Sequence, residues 1–262
     1  MKTKLAAAAA LGLALAVPAR AGIKTEEIEY RQGDTVLKGF LAFDDAAKGK
    51  RPGVLVVHEW WGHNQHARDQ ATRLAKAGYV GFALDMYGKD KLATHPKDAQ
   101  AFMEEATKDP QLVAARFDAA LDVLKGRPEV DARKIAALGY CFGGTVALGM
   151  ARAGADLAAV VTFHAGLKPP GEPAQKGKVK ARILVNTGGK DPMIPREQVA
   201  EFKAEMKRAG ARAEVITYPS ARHSFTNPDA GKAGMEALAY DAGADRKSWK
   251  AATAFLKRSL GR

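Results

Sequence analysis

From residue 28 onward, the hydrophobic positions alternate between short continuous apolar runs and longer stretches with helical spacing. Residues 53–58, 79–84, 134–138, 158–163, 182–186 and 213–218 form the short runs, which read as buried strands. Residues 67–77 have apolar positions on one helical face and stop at Gly78. A helical region spans about 96–125, another helix follows the 134–138 strand, and two more cover 196–209 and about 244–260. Before all of these, 28–30 and 36–43 read as an antiparallel opening pair. Strands that are apolar throughout, separated by helices, predict an α/β fold with a mostly parallel sheet and helices on both faces. In such sheets ligands bind beyond the carboxyl ends of the strands.

The chain's one cysteine stands at a corner of this pattern, between the strand at 134–138 and the alanine-rich helix after it. Gly139-Tyr140-Cys141-Phe142-Gly143 has the G-x-nucleophile-x-G form of a nucleophile elbow, with Cys in place of Ser. A helix start at this corner would favour thiolate. A buried cysteine in a glycine-rich turn, or an anion-cradling loop, fits the same residues. Gly-Lys-Ser/Thr and G-x-G-x-x-G patterns are absent, however.

The other candidate groups follow strand ends. Cys141, Asp191 and His223 occur in the nucleophile, acid, base order of α/β-hydrolases. In that chemistry the His223 imidazole takes the thiol proton and returns it to the leaving group, while Asp191 fixes the ring's tautomer. The backbone N–H groups of Phe142 and Trp60 are the expected oxyanion donors. Trp60, Trp61 and Phe142 would form an aromatic wall, and His164 would line the pocket after its strand. His58, Glu59, His63 and His66 suggest a metal as a rival use. His63, though, lies five positions after His58 instead of the four a helical zinc motif requires. No metal is expected.

The first 21 residues change the picture of where the protein works. Lys2 and Lys4 precede thirteen apolar residues from 5 to 17, and Ala19-Arg20-Ala21 gives a small-x-small cleavage site. The pattern predicts a cleaved signal peptide over 1–21, a mature chain of one domain over 22–262, export to the periplasm or medium, and no stable membrane insertion. Removing Lys2, Lys4 and Arg20 lowers the net charge from +12 to +9. The remaining basic residues are scattered, so nucleic acid is not an expected partner. A single cysteine excludes an intramolecular disulfide, and a monomer is expected.

Taken together, His58-Glu59-Trp60-Trp61-Gly62, Asp85-Met86-Tyr87-Gly88, Gly139-Tyr140-Cys141-Phe142-Gly143-Gly144, Asp191 and His223-Ser224-Phe225 resemble the dienelactone hydrolase family. The resemblance spans nearly the whole mature chain. It implies an α/β-hydrolase fold, a Cys-His-Asp triad, no cofactor, and hydrolysis of a small-molecule lactone or ester through a thioacyl-enzyme. It also implies that Glu59 holds the resting thiol and gives way to substrate. The substrate-facing set is then Trp61, Tyr87, Lys89, His164, Phe225 and Asn227. Lys89 and Asn227 stand where the family pattern leads one to expect arginines for a substrate carboxylate, and lysine is no bidentate clamp. A non-catalytic periplasmic binding or thiol redox-sensing protein on the same fold is the alternative.

Overall fold

The chain opens with a hairpin of β1 (Ile23–Gln32) and β2 (Thr35–Asp44), paired from Ile23 opposite Asp44 to Gln32 opposite Thr35. A computed structural model describes residues 22–168 and 171–261, so the expected signal peptide lies outside the described residues. β1 is longer than the 28–30 core that the sequence suggests. Exposed Glu27, Glu29 and Arg31 alternate with Ile28 and Tyr30, so an edge strand carrying charge hides most of its length from an apolar pattern.

The remaining elements alternate. They are β3 (Arg51–Val57), α1 (Gln65–Lys76), β4 (Val80–Leu84), α2 (Pro96–Thr107), α3 (Pro110–Lys125), β5 (Val130–Tyr140), α4 (Phe142–Ala153), β6 (Ala159–Phe163), β7 (Arg182–Gly188), α5 (Arg196–Ala209), β8 (Ala213–Tyr218) and α6 (Ala242–Leu260). The single helical region expected over 96–125 is two helices. Pro110 has no N–H and is suited only to a first helical turn, and Asp109 caps the new helix by accepting from the Gln111 amide at 2.8 Å. α6 starts the same way, with Asp241 accepting from the amides of Gly243 and Ala244.

One eight-stranded sheet runs in the order β1-β2-β4-β3-β5-β6-β7-β8. β2 is antiparallel to both of its neighbours, and β4 through β8 are parallel. Alternate residues of the central strands feed two cores. Leu55, Val57, Ala137, Val160 and Ile183 pack on one face with α3, α4 and α5 through Phe117, Val146 and Phe202. Val54, Val56, Leu138, Val161 and Leu184 pack on the other with α1 and α6 through Leu74, Phe255 and Leu256. Burial on both faces explains why these strands read as continuous apolar runs. Among the described residues, no helix is long and apolar enough to cross a membrane.

α4 and α5 are also locked together by charge. The Arg152 guanidinium donates from Nε and Nη2 to the two carboxylate oxygens of Glu205, each at 2.7 Å, and Nη2 also reaches the Leu167 carbonyl at 2.8 Å. The Ala174 amide donates to the same carboxylate at 2.7 Å, which ties down the connection that follows β6. Burial opposes ionisation of Glu205, yet its hydrogen bonds with Arg152 and Ala174 hold the carboxyl below its ordinary value of 4.5. The folded pKa is therefore depressed, so this contribution is present at neutral pH and is lost as pH falls below about 4.5. Glu205→Ala leaves Arg152 buried without its partner and should cost about 3–5 kcal/mol in urea unfolding at pH 7. The difference from wild type should shrink toward pH 3.

Candidate active site

β5 delivers the chain to Cys141 at the carboxyl edge of the sheet, and α4 begins one residue later. Cys141 is the N-cap of α4 with φ +51° and ψ −118°, a conformation that side chains rarely adopt. Two glycines permit it. A Cβ on Gly139 would run into the Gly143 carbonyl, and one on Gly143 would run into the carbonyls of Val57 and His58. Backbone bonds then fix the corner: the Cys141 amide donates to the Phe163 carbonyl at 3.0 Å, and the Gly144 amide donates to the Cys141 carbonyl at 3.0 Å.

The sulfur meets His223. Cys141 Sγ lies 3.0 Å from His223 Nε2, and His223 Nδ1 lies 2.8 Å from Asp191 Oδ2. Asp191 Oδ1 accepts from the Met193 amide at 2.8 Å, so this carboxylate is held on both sides. All three groups come from loops beyond strand ends: Cys141 after β5, Asp191 after β7 and His223 after β8. The His223 side chain is 3% exposed and that of Asp191 is not exposed, which keeps water from competing for the Nδ1 bond. Burial by itself lowers the His223 pKa. The negative charge of Cys141 and the bond to Asp191 outweigh it and raise the pKa to about 10. The ring is thus held between the sulfur and the carboxylate.

The loop after β3 approaches from the opposite side. Tyr87 donates from its hydroxyl to the Trp60 carbonyl at 3.0 Å, and burial pushes its phenol pKa upward, which preserves that donor. Among the described residues, the amides of Trp60 and Phe142 donate to no protein acceptor, so both remain available to an oxyanion. His58 receives the Met86 amide on Nε2 at 3.1 Å and so donates from Nδ1 to the Glu59 carbonyl at 2.5 Å. With Nε2 engaged, His58 offers no free ring nitrogen, and no three His, Cys, Asp or Glu groups gather as a metal cage among the described residues. Asp85 accepts from the amides of Tyr87 and Gly88 at 2.8 and 3.0 Å, shaping the turn that presents Tyr87.

Several expected contacts fall elsewhere. Glu59 does not hold the thiol: its oxygens accept from Ser224 Oγ and Asn227 Nδ2, each at 2.6 Å, while the sulfur faces His223. Asn227 is thereby spent on Glu59 and does not face substrate. The structure places Lys89 at the surface, where its ammonium pairs with Glu29 of β1 at 2.5 Å. Phe225 is fully buried between the rings of Tyr218 and His164 in the core under α6, so it lines no site. His164 is also fully buried. It hydrogen-bonds to Thr226 Oγ1 at 2.8 Å and sets its ring 5.2 Å from that of His223. Burial, and then the nearby His223 charge, push its pKa well down and leave it neutral beneath the His223 ring. Tyr87 is buried as a support of the Trp60 loop. Trp61 remains half-buried against Trp60, with ring centroids 5.0 Å apart. Ser224 and Thr226 are the additional site residues. Ser224 falls within the His223-Ser224-Phe225 motif, while Thr226 has no sequence signal beyond standing three positions after His223.

The chain and its fold have parallels among known proteins. The model of the dienelactone hydrolase family matches residues 37–260. Protein usf of Aquifex pyrophilus is 28% identical over 238 residues, which cover 89% of this chain and 98% of that protein. The solved structure named m3DLH superposes with a TM-score of 0.86 at 40% identity, over 91% of this chain and 99% of its own. A dienelactone hydrolase-like promiscuous phosphotriesterase from metagenomic libraries superposes with a TM-score of 0.86 at 36% identity, over 92% of this chain and all of its own. With a matched family model over most of its length and the fold of these structures, the chain belongs to the dienelactone hydrolase family and is an α/β-hydrolase of ester bonds.

Proposed function

We propose that this protein is an exported cysteine hydrolase that opens a neutral ester or lactone through a thioacyl-enzyme on Cys141. The observation that carries the reading is the continuous chain from Sγ through His223 to Asp191, set at the N-terminus of α4. The thiolate attacks the substrate carbonyl and a C–S bond forms. The oxygen takes up negative charge opposite the Trp60 and Phe142 amides. The tetrahedral centre collapses, the C–O bond to the leaving alcohol breaks, and His223 gives that oxygen its proton. Water then attacks the thioester and loses a proton to His223. The C–S bond breaks, releasing the carboxylic acid and the thiolate.

Two further observations support the substrate and the setting. Lys89 and Asn227 are committed to Glu29 and Glu59, which supports a neutral substrate over one held by its carboxylate. The basic start, apolar run and cleavage pattern of residues 1–21 support export. Expressed with its full sequence in a Gram-negative host, the protein should appear in the periplasm or medium with Gly22 at its N-terminus by Edman sequencing. An intact Met1 in the cytosol would reject the proposal of export.

Cys141→Ala should lower kcat/KM for a neutral aryl ester by at least about a thousandfold while leaving the melting temperature near that of wild type. Retained hydrolysis would assign the chemistry to another group. The raised His223 pKa also predicts a pH profile. Folded His223 binds its proton more tightly than the ordinary value of 6.5, so its contribution to stability is complete below that pH and is lost as pH rises toward about 10. Urea unfolding of wild type should weaken across that window, and Cys141→Ala, lacking the charge that raises His223, should show a smaller decline. Glu59→Ala frees Ser224 and Asn227 from their shared acceptor. Because misplacing the His223 loop is costly, kcat should fall by about a hundredfold with little change in KM.

A further inference from the structure

A cavity of about 400 Å³ lies between α2, α3 and α4, away from the triad's hydrogen bonds. Met103, Val113, Ala114, Val146, Gly149 and Met150 line it. Phe142, the residue after Cys141, borders it at one end, and the cavity runs along one face of α4 as far as Ala153. Its wall is mostly apolar, with Thr107, Thr145 and Gln175 also bordering it and the 171–178 segment closing one side, and its charged neighbours are accounted for. Arg152 is held by Glu205 and the Leu167 carbonyl, and Glu172 and Lys178 stand on the exposed rim.

Gly149 shows that the space is not a packing accident. It lies in the interior of α4, where glycine is a poor helix former, yet a Cβ there would meet nothing within 4 Å. Gly139 and Gly143 are required by close backbone approach, but the only steric effect of glycine at 149 is to leave the cavity open. Two methionines, which adapt to irregular apolar shapes, face the same space.

We infer that this cavity is the acyl site, taking the neutral aliphatic acyl chain of an ester whose carbonyl lies at Cys141. The inference rests on the nucleophile assigned above. The choice of acyl over alcohol follows from proton geometry. The leaving oxygen must face His223 to receive its proton, whereas no residue of the Asp191 or His223 loops borders the cavity. The part of the substrate that points into it is therefore the part that stays on sulfur.

Wild-type protein and 4-nitrophenyl esters from acetate to hexanoate test this, because the leaving group is constant. Each buried methylene should raise kcat/KM by roughly three- to fourfold, or about a hundredfold from acetate to hexanoate. Gly149→Phe fills the cavity and should cut the hexanoate-to-acetate ratio to below about tenfold. If that variant does not fold, Ala114→Leu adds bulk from α3 and reads the same ratio. Gly149→Ala should raise the melting temperature, since its methyl enters open space. Binding of intact 4-nitrophenyl hexanoate to Cys141→Ala, followed by calorimetry, should exceed that of the acetate and be lost when Gly149→Phe is added. A wild-type rate independent of chain length, or a hexanoate preference that survives a folded Gly149→Phe, overturns the acyl site. Equal hydrolysis by wild type and Cys141→Ala instead overturns the nucleophile, and the binding comparison still judges the cavity.

Discussion

The backbone at Cys141 is the constraint on which the site depends. A residue with a side chain is held at φ +51°, a conformation that costs on the order of 1–3 kcal/mol and persists only where the surroundings over-determine it. Here β3 and α4 supply the determination. Gly143 lets α4 close onto the end of β3, Gly139 lets β5 pass under the first turn of α4, and the Phe163 carbonyl anchors the Cys141 amide from β6. The strain raises the sulfur off the sheet edge and places it before the positive end of a twelve-residue helix.

Once the sulfur is fixed, three loops must meet it, and each is braced by a buried polar group. Tyr87 pins the Trp60 carbonyl, Asp191 is pinned by the Met193 amide, and Glu59 bridges from the β3 loop to Ser224 and Asn227. Glu59 therefore acts across the site. It joins the segment that carries Trp60 to the segment that carries His223, so loops from opposite sides of Cys141 keep their spacing. His164 completes the support as a neutral ring beneath His223. A charged group there would oppose the imidazolium.

Stability and access pull in different directions on α4. Its last turn is fastened by Arg152 to Glu205, and its interior carries a glycine that faces empty space. The ion pair and the β6–β7 connection it holds keep the last turn of the helix in place, within one turn of the Gly149 that faces the cavity. One helix thus contributes an electrostatic terminus to the sulfur and an apolar flank to the space beside it.

The alternation of apolar strands and helices, the elbow glycines, and the order Cys141, Asp191, His223 are local or ordered along the chain, so the fold class and the three groups that meet at the sheet edge were legible in the residues alone. The break at Asp109-Pro110 is equally local, and proline chemistry explains it. Other features depended on which side chains meet across long separations. Glu59 and Asn227 are 168 positions apart, and both are polar residues that could have faced a substrate; only the closing of the β3 and β8 loops commits them to each other. Lys89 was drawn to Glu29 because β1 lies at the edge beside it, a neighbour that only the sheet order supplies. Phe225 and His164 lie under α6 and His223 because burial of a ring is decided by what packs over it. The cavity at Gly149 was illegible for the same reason. A glycine within an alanine-rich run signals only a weak helix, and the open space beside it exists only once α2, α3 and α4 are packed.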